Sequence, residues 1–325
     1  MINYIIRRLL YVVPVLIGVN VLTFILFFVV NSPDDMARMQ LGDKHVTQAA
    51  IDNWKQQRGY DLPLLWNEES VGLNKAADTI FYTKSVGLFA FDLGISDNGR
   101  DIASDIGQRM WPSLAIAIPS LIIGVFVNIT FSLLLIFYRG SFLEFAGVFL
   151  CIALMSISGL FYIIVGQLFV GKMLSLTPIS GYVPGIDAIK FIILPVLIGV
   201  VSGLGSGVRW YRSLFLEESA KDYVRTAKAK GLSDLDVLFK HVLKNAMIPI
   251  LTGIVVILPL LFMGSLITES FFGIPGLGSY TIDAITSQDF AIVRSMVFLG
   301  SFLYIIGLLL TDISYTLVDP RVRLD

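Results

Sequence analysis

Residues 9–30 read LLYVVPVLIGVNVLTFILFFVV, 22 consecutive positions without a charged side chain. At 1.5 Å of rise per residue, a helix needs about 20 such residues to cross the hydrocarbon core of a bilayer. In lipid every backbone N–H and C=O must be satisfied within the protein, which leaves only helices and closed barrels. Barrel strands would alternate polar and apolar residues, and this run does not. It is therefore read as a helix. Arg7 and Arg8 ahead of it also suit the start of a secretory signal, but the run ends at Asn31-Ser32-Pro33 with no small-residue cleavage pattern. The expectation is a retained first membrane helix.

Five further uncharged runs follow: Met110–Tyr138, Phe145–Gly171, Phe191–Val208, Asn245–Thr268 and Ser295–Thr311. The whole chain is 55% apolar and only 15% charged, against about 45–50% and about 25% in a soluble domain. The fold class expected is an all-α polytopic membrane protein with six transmembrane helices. A net charge of −1 gives no reason to expect nucleic acid as a partner. The single cysteine, Cys151, lies inside the third run. It excludes an internal disulfide, offers no paired ligand for zinc, and is read as a packing residue.

Basic residues in short loops stay on the cytoplasmic side. With the N-terminus inside, thirteen fall there: Arg7, Arg8, Arg139, Arg209, Arg212, Lys221, Arg225, Lys228, Lys230, Lys240, Lys244, Arg321 and Arg323. The short external segments hold only Lys172, Lys190 and Arg294. Both termini are therefore expected in the cytoplasm.

The chain divides into the first helix (1–30), an external segment (31–109) and a five-helix core (110–325) containing a polar stretch at 209–244. In the external segment Val46–Arg58 has a helical pattern, with Thr47 as cap and Ala50, Ile51 and Trp54 on one face. Leu88–Ile95 reads as a short strand. A small cap is expected, because the segment holds more aromatics than a disordered tract usually does; a disordered loop is the alternative. In 209–244, Glu217, Glu218 and Asp222 precede Arg225, Lys228 and Lys230, the charge order a helix dipole favours. Gly231 stops that helix and Ser233 caps another. Two short helices bent at a glycine would make a projecting hairpin; a solvated loop with balanced charges is the alternative.

The hairpin also carries a resemblance. Asp222-Tyr223-Val224-Arg225-Thr226-Ala227-Lys228-Ala229-Lys230-Gly231-Leu232-Ser233, followed by His241-Val242-Leu243-Lys244-Asn245-Ala246 and Pro249, resembles the cytoplasmic loop of the dipeptide and oligopeptide ABC importer permeases. Arg225-Thr226-Ala227 and Gly231 occupy the places of that loop's Glu-Ala-Ala and glycine, and the basic residue in place of the glutamate favours the peptide branch. Tyr4–Leu10, Glu269–Gly278, Asp312–Tyr315 and Asp319–Arg323 resemble other segments of the same family. The departures are a longer 64–91 segment and Leu308, where an asparagine is common. The resemblance implies an importer permease in a bacterial inner membrane. It also implies a related permease as heterodimer partner, two cytoplasmic ATPase subunits carrying ATP and its magnesium, and an extracytoplasmic solute-binding protein. No cofactor is expected on this chain. Asp222, Tyr223, Arg225, Thr226, Ala227, Lys228, Lys230, Gly231 and Leu232 are then expected to couple the ATPases to the spans.

Gly166–Lys172 fits the first seven places of a phosphate-binding loop, but Met173 replaces the hydroxyl that would hold magnesium, so ATP must be bound elsewhere. Asn128-Ile129-Thr130 matches a glycosylation acceptor by chance, inside a span. His45 and His241 are expected on opposite sides of the membrane and cannot share a metal. Gly199, Gly203 and Gly207 recur every four residues and are read as a groove that lets another backbone approach, for packing or for a moving gate. Asn20, Asn128 and Gln167 either cross-link spans or line a pathway. The sequence places no Asp, Glu, Lys or Arg mid-span, which argues against the alternative of a stand-alone secondary transporter or channel. An intramembrane enzyme lacks its paired acids, its serine with a base and its metal ligands.

Overall fold

A computed structural model describes residues 2–42 and 46–318; His45 and the terminal Asp319–Arg323 lie outside the described residues. The helices are, in chain order, α1 (Ile2–Phe24), α2 (Pro33–Leu41), α3 (Gln48–Arg58), α4 (Asn74–Ala77), α5 (Ile80–Lys84), α6 (Ile102–Phe137), α7 (Phe142–Met155), α8 (Gly159–Gly166), α9 (Ala188–Ser219), α10 (Asp222–Ala229), α11 (Asp234–Val237), α12 (Lys244–Ile257), α13 (Leu266–Phe272), α14 (Leu277–Ser287) and α15 (Phe290–Val318). Wider π-type turns prolong α1 over Ile25–Val30 and α8 over Gln167–Met173, and join α11 to α12 over Leu238–Leu243.

Five stretches are long and apolar enough to cross a bilayer: Leu10–Val30, Ile102–Phe137, Ala188–Ser219, Asp234–Met263 and Phe290–Ser314. Phe142–Met155 and Gly159–Met173, bent by 90° at the break between them, make a sixth when the pair is counted as one span. The polytopic all-α class holds, with corrections to its elements. The third span is not one helix over Phe145–Gly171: Ser156-Ile157-Ser158 interrupts it. There the Ser156 hydroxyl donates to the Ile152 carbonyl at 2.9 Å, giving the backbone an alternative partner where the ladder ends. The fourth span runs past Val208 to Ser219, because Tyr211 and Phe215 continue the buried face. Glu217 and Glu218 thus end α9 rather than begin α10. The fifth starts at Asp234 and finishes at Met263, where Gly264 turns the chain with φ of 66°, so Thr268 belongs to α13. The hairpin's second arm is consequently the root of a span rather than a separate short helix.

The described residues form two compact units. One gathers the chain up to Arg109 with Tyr280–Ile306. Its core joins Phe24 and Phe28 of the first span to Met36, Ile51, Trp54, Tyr60 and Ile80, so the segment after the first span is a folded cap rather than a disordered loop. Ser32 and Asp35 form a capping box at α2, and Thr47 caps α3 by accepting from the Ala50 amide. Asn20 donates to the Ser85 carbonyl at 2.7 Å, tying the first span to the cap. Leu88–Ile95 does not form the expected strand. Val86–Ala90 is a 3-10 turn ending at Phe91 (φ 59°), and Ile95 pairs only in a single bridge to Asp101. Burial of Leu88, and edge contacts of Phe89 and Phe91 with Phe298, outweigh strand propensity in a segment with no partner strand. Arg294, assigned by sequence to an external loop, lies buried near the start of α15.

The other unit gathers Met110–Ser279 with the chain from Gly307 onward. Here α7 packs along α9 around Leu135, Cys151 and Val208, and Cys151 is fully buried, as a packing residue should be. Gln167 is a cross-link: its amide donates to the carbonyls of Ile179 at 2.9 Å and Phe271 at 3.0 Å.

Candidate functional site

The α10 hairpin is built so that one face is anchored and the other free. Asp222 stands in the first turn and Lys228 in the last, the favourable arrangement for the dipole. Val224 and Ala227, three residues apart, sink into a core shared with Tyr211 and Phe215 of α9, Val237, Leu238 and Val242 of the next arm, and Ala246 and Ile250 of α12. Any push on α10 therefore reaches the roots of two spans through packed side chains. The bend is fixed by Gly231 at φ 82°, whose amide donates to the Lys228 carbonyl at 2.9 Å. Lys228 and Asp234 pair across the bend at 2.8 Å, and Ser233 caps the next arm by accepting from the Asp236 amide at 3.1 Å. Tyr223 donates to Glu218 at 2.6 Å; burial first, then this bond, pushes its phenol up to about 12. It stays a donor at neutral pH.

Of the residues read from sequence as the coupling set, Asp222, Arg225, Thr226, Lys228, Lys230 and Gly231 are exposed, Tyr223 and Leu232 are half-buried, and Ala227 is buried. Ala227 thus anchors the helix rather than facing outward. Val224, left out of that set, is the other anchor, and its spacing to Ala227 was the available signal.

A second feature is a cavity of about 470 Å³ lined by Gly199, Gly203 and Gly207 of α9, Ser120 and Asn128 of α6, and Gly253 of α12. The three glycines do share a face, but no backbone approaches it. A β-carbon at Gly199 would stand 3.3 Å from the Ser120 hydroxyl, one at Gly207 would clash with the Asn128 amide, and one at Gly203 would meet nothing. The close backbone approach falls instead at Gly205, against the Cys151 carbonyl, outside the four-residue repeat. The cavity wall carries two buried polar atoms without a hydrogen-bond partner, Ser120 Oγ and Asn128 Oδ1. Such atoms cost free energy until something bonds to them. Among the described residues, no Asp, Glu, Lys, Arg or His lines this cavity.

Glu269 organises the turn between α13 and α14. It accepts from the amides of Ser265 at 3.1 Å, Gly278 at 2.7 Å and Ser279 at 3.1 Å. Gly264 and Gly276 leave room for its carboxylate, which any β-carbon there would strike. Burial pushes this carboxyl above its usual range, although the donors oppose the shift.

Comparison with known proteins follows the same lines. Residues 121–324 match the family of binding-protein-dependent transport system inner membrane components, and residues 1–71 match the N-terminal family of such membrane components. The chain is 30% identical to a Brucella abortus protein named as a peptide transport system permease, over 99% of both chains. It is 30% identical to the dipeptide transport system permease protein DppB of Escherichia coli, again over 99% of both. A peptide ABC transporter permease of Sinorhizobium fredii is 29% identical over 98% of this chain and 99% of its own. A membrane-embedded bundle matched from within α6 to residue 324, and again over residues 1–71, leaves one assignment: the chain belongs to the family of binding-protein-dependent transport system inner membrane components, and is a permease of such a system.

Proposed function

We propose that this permease forms one half of an import pathway for short peptides, as a heterodimer with a related permease. Cargo arrives from an extracytoplasmic solute-binding protein, and two cytoplasmic ATPase subunits supply the work, holding ATP and its magnesium. The chain itself performs no hydrolysis. Peptide cargo is the reading favoured by the names of the relatives in Brucella abortus and Escherichia coli. Both termini and α10 face the cytoplasm, in keeping with the concentration of basic residues in the short segments assigned there.

The observation that carries the reading is α10: a short helix with an exposed face of Asp222, Arg225, Thr226 and Lys230, whose opposite face is embedded between the roots of two spans. A subunit closing on the exposed face would move those roots. Such a movement does work on the cargo only if the ATPase binds the two conformations differently. The Gly199–Gly207 cavity then serves as one wall of the pathway, with Asn128 and Ser120 offering hydrogen bonds to passing amide groups. Its lack of Asp, Glu, Lys, Arg or His among the described residues sets it apart from an ion-coupled carrier, whose pathway usually needs one.

The test is charge reversal at Arg225, whose side chain is 79% exposed. Arg225→Glu in proteoliposomes containing the complete system is expected to leave the permease inserted while weakening ATPase association or separating ATP hydrolysis from uptake. Parent-like assembly, hydrolysis and uptake would show that α10 is a solvated turn with no coupling role.

A further inference from the structure

The cap-containing unit encloses a second cavity, of about 500 Å³, whose wall includes Arg58, Tyr60, Lys84, Asp92, Asp97 and Arg294. Among the described residues its wall carries three basic and two acidic side chains. Asp97 is taken by Arg58 at 2.6 Å and by the Gln40 amide. Asp92 accepts from the Gly94 amide at 3.2 Å. Nearby Asp289 accepts from the amides of Asp97 at 2.7 Å and Ile292 at 3.2 Å. Arg294 has no carboxylate within ion-pair reach among the described residues, although it is only 4% exposed, and its Nε has no hydrogen-bond partner. Its one close contact of note is with the Phe28 ring, 5.4 Å from the guanidinium. Lys84, half-buried on the same wall, likewise makes no ion pair among the described residues and lies 5.5 Å from the Tyr60 ring. Burial first, and then the charge of Arg294, lower the Lys84 pKa, while the Asp92 carboxylate opposes the shift.

An arginine cannot shed its charge when buried, unlike a lysine. A ring face offsets only part of the cost of desolvating it. What Arg294 lacks is a counter-ion, and a carboxylate is the group whose two oxygens match a guanidinium fork. We infer that this cavity is a carboxylate-binding site that takes the C-terminal end of a short peptide on the cap side of the permease. The inference rests on the peptide-import reading above, and it assigns this chain a share in cargo selection that the uncharged Gly199–Gly207 cavity cannot supply. The volume suits a peptide terminus of a few small residues rather than a bare ion.

The test is equilibrium binding of radiolabelled trialanine and of its C-terminal amide to the full chain in lipid nanodiscs. The parent should bind the acid about tenfold more tightly than the amide, the scale of one charge-assisted contact. Lys84→Gln, at the accessible wall, and Arg294→Gln should each bring that preference below about twofold. The lysine variant keeps the test decisive if the buried arginine variant does not fold. Equal binding of acid and amide by the parent, or full preference retained in Lys84→Gln, would overturn the site. Acetate competing as strongly as trialanine would overturn the peptide assignment in favour of free anions. Uptake by the complete system separates the two readings: import of acid and amide alike removes the site and leaves peptide import standing, whereas an acid preference in binding without any peptide import removes the transport reading alone.

Discussion

The α-carbon of Gly205 faces the carbonyl oxygen of Cys151 so closely that a β-carbon there would come within 3.0 Å of it. Two residues away, Gly203 has nothing within 4 Å. One turn of α9 thus holds a packing glycine and an open one, and they should respond oppositely. Gly205→Ala must separate α7 from α9 and should lower stability by about 1–3 kcal/mol, while Gly203→Ala should stay within about 0.5 kcal/mol of the parent. Thermal unfolding of the purified permease in detergent decides it; equal melting of the two variants would contradict the assignment.

Gly231 is the converse case, with no neighbour within 4 Å of a built β-carbon but a φ of 82°. Substitution there acts through the backbone alone. Gly231→Val should cost about 1 kcal/mol or more, tilting α10 and lowering uptake per ATP hydrolysed. Gly231→Asn, which tolerates the left-handed region, should retain most of the coupling. Identical uptake in the valine variant would mean that the bend is not needed.

Removing the Glu269 carboxylate leaves the amides of Ser265, Gly278 and Ser279 without their acceptor. Glu269→Ala should destabilise the permease by about 1–3 kcal/mol for each amide that stays buried and unsatisfied. The parent should also show a pH dependence that the variant lacks. Because the folded-state pKa is raised, the folded chain holds the proton where the unfolded chain has lost it. Stability is then greatest below the ordinary carboxylate pKa and is lost as pH rises through the raised value. Melting curves of parent and variant across the acidic range test the sign; a parent that gains stability with rising pH relative to the variant would refute it.

Topology is testable at two exposed positions. In a Cys151→Ala background, Leu73→Cys, at a site 92% exposed in the cap, should label from outside intact cells, and Lys228→Cys only after permeabilisation. The reverse pattern would invert the orientation and move α10 away from any cytoplasmic ATPase.

Several elements needed only the sequence. An uncharged run such as Leu10–Val30, with no alternation of polar and apolar residues, leaves the helix as its backbone solution in lipid, so the all-α spans follow from pattern and length. Local chemistry likewise accounts for Thr47 and Ser233 as caps and Gly231 as the bend, since each acts on residues within one turn of itself. The peptide-permease resemblance rested on such local segments too, and the family match agrees with it.

Other features depend on which surfaces meet. That Gly205, and not Gly199, Gly203 or Gly207, carries the close backbone contact depends on how α7 lies across α9, which no spacing within α9 encodes. The break at Ser156–Ser158 in an uncharged run, and the 3-10 turn in place of a strand at Val86–Ala90, are likewise settled by neighbours in space. Arg294 is the clearest example. In sequence it is a basic residue at the edge of an apolar run, and the ordinary expectation is solvent. The tertiary structure folds the cap's core around Phe28 and Tyr60 and carries Arg294 inside, while Asp97, Asp92 and Asp289 are engaged by other donors. Sequence composition set the solvent, the helical class and the local caps, because these depend on chain-local free energies. Which charges ended buried without a counter-ion, and which glycines face a neighbour or an open groove, was decided by the packing of segments far apart in the chain.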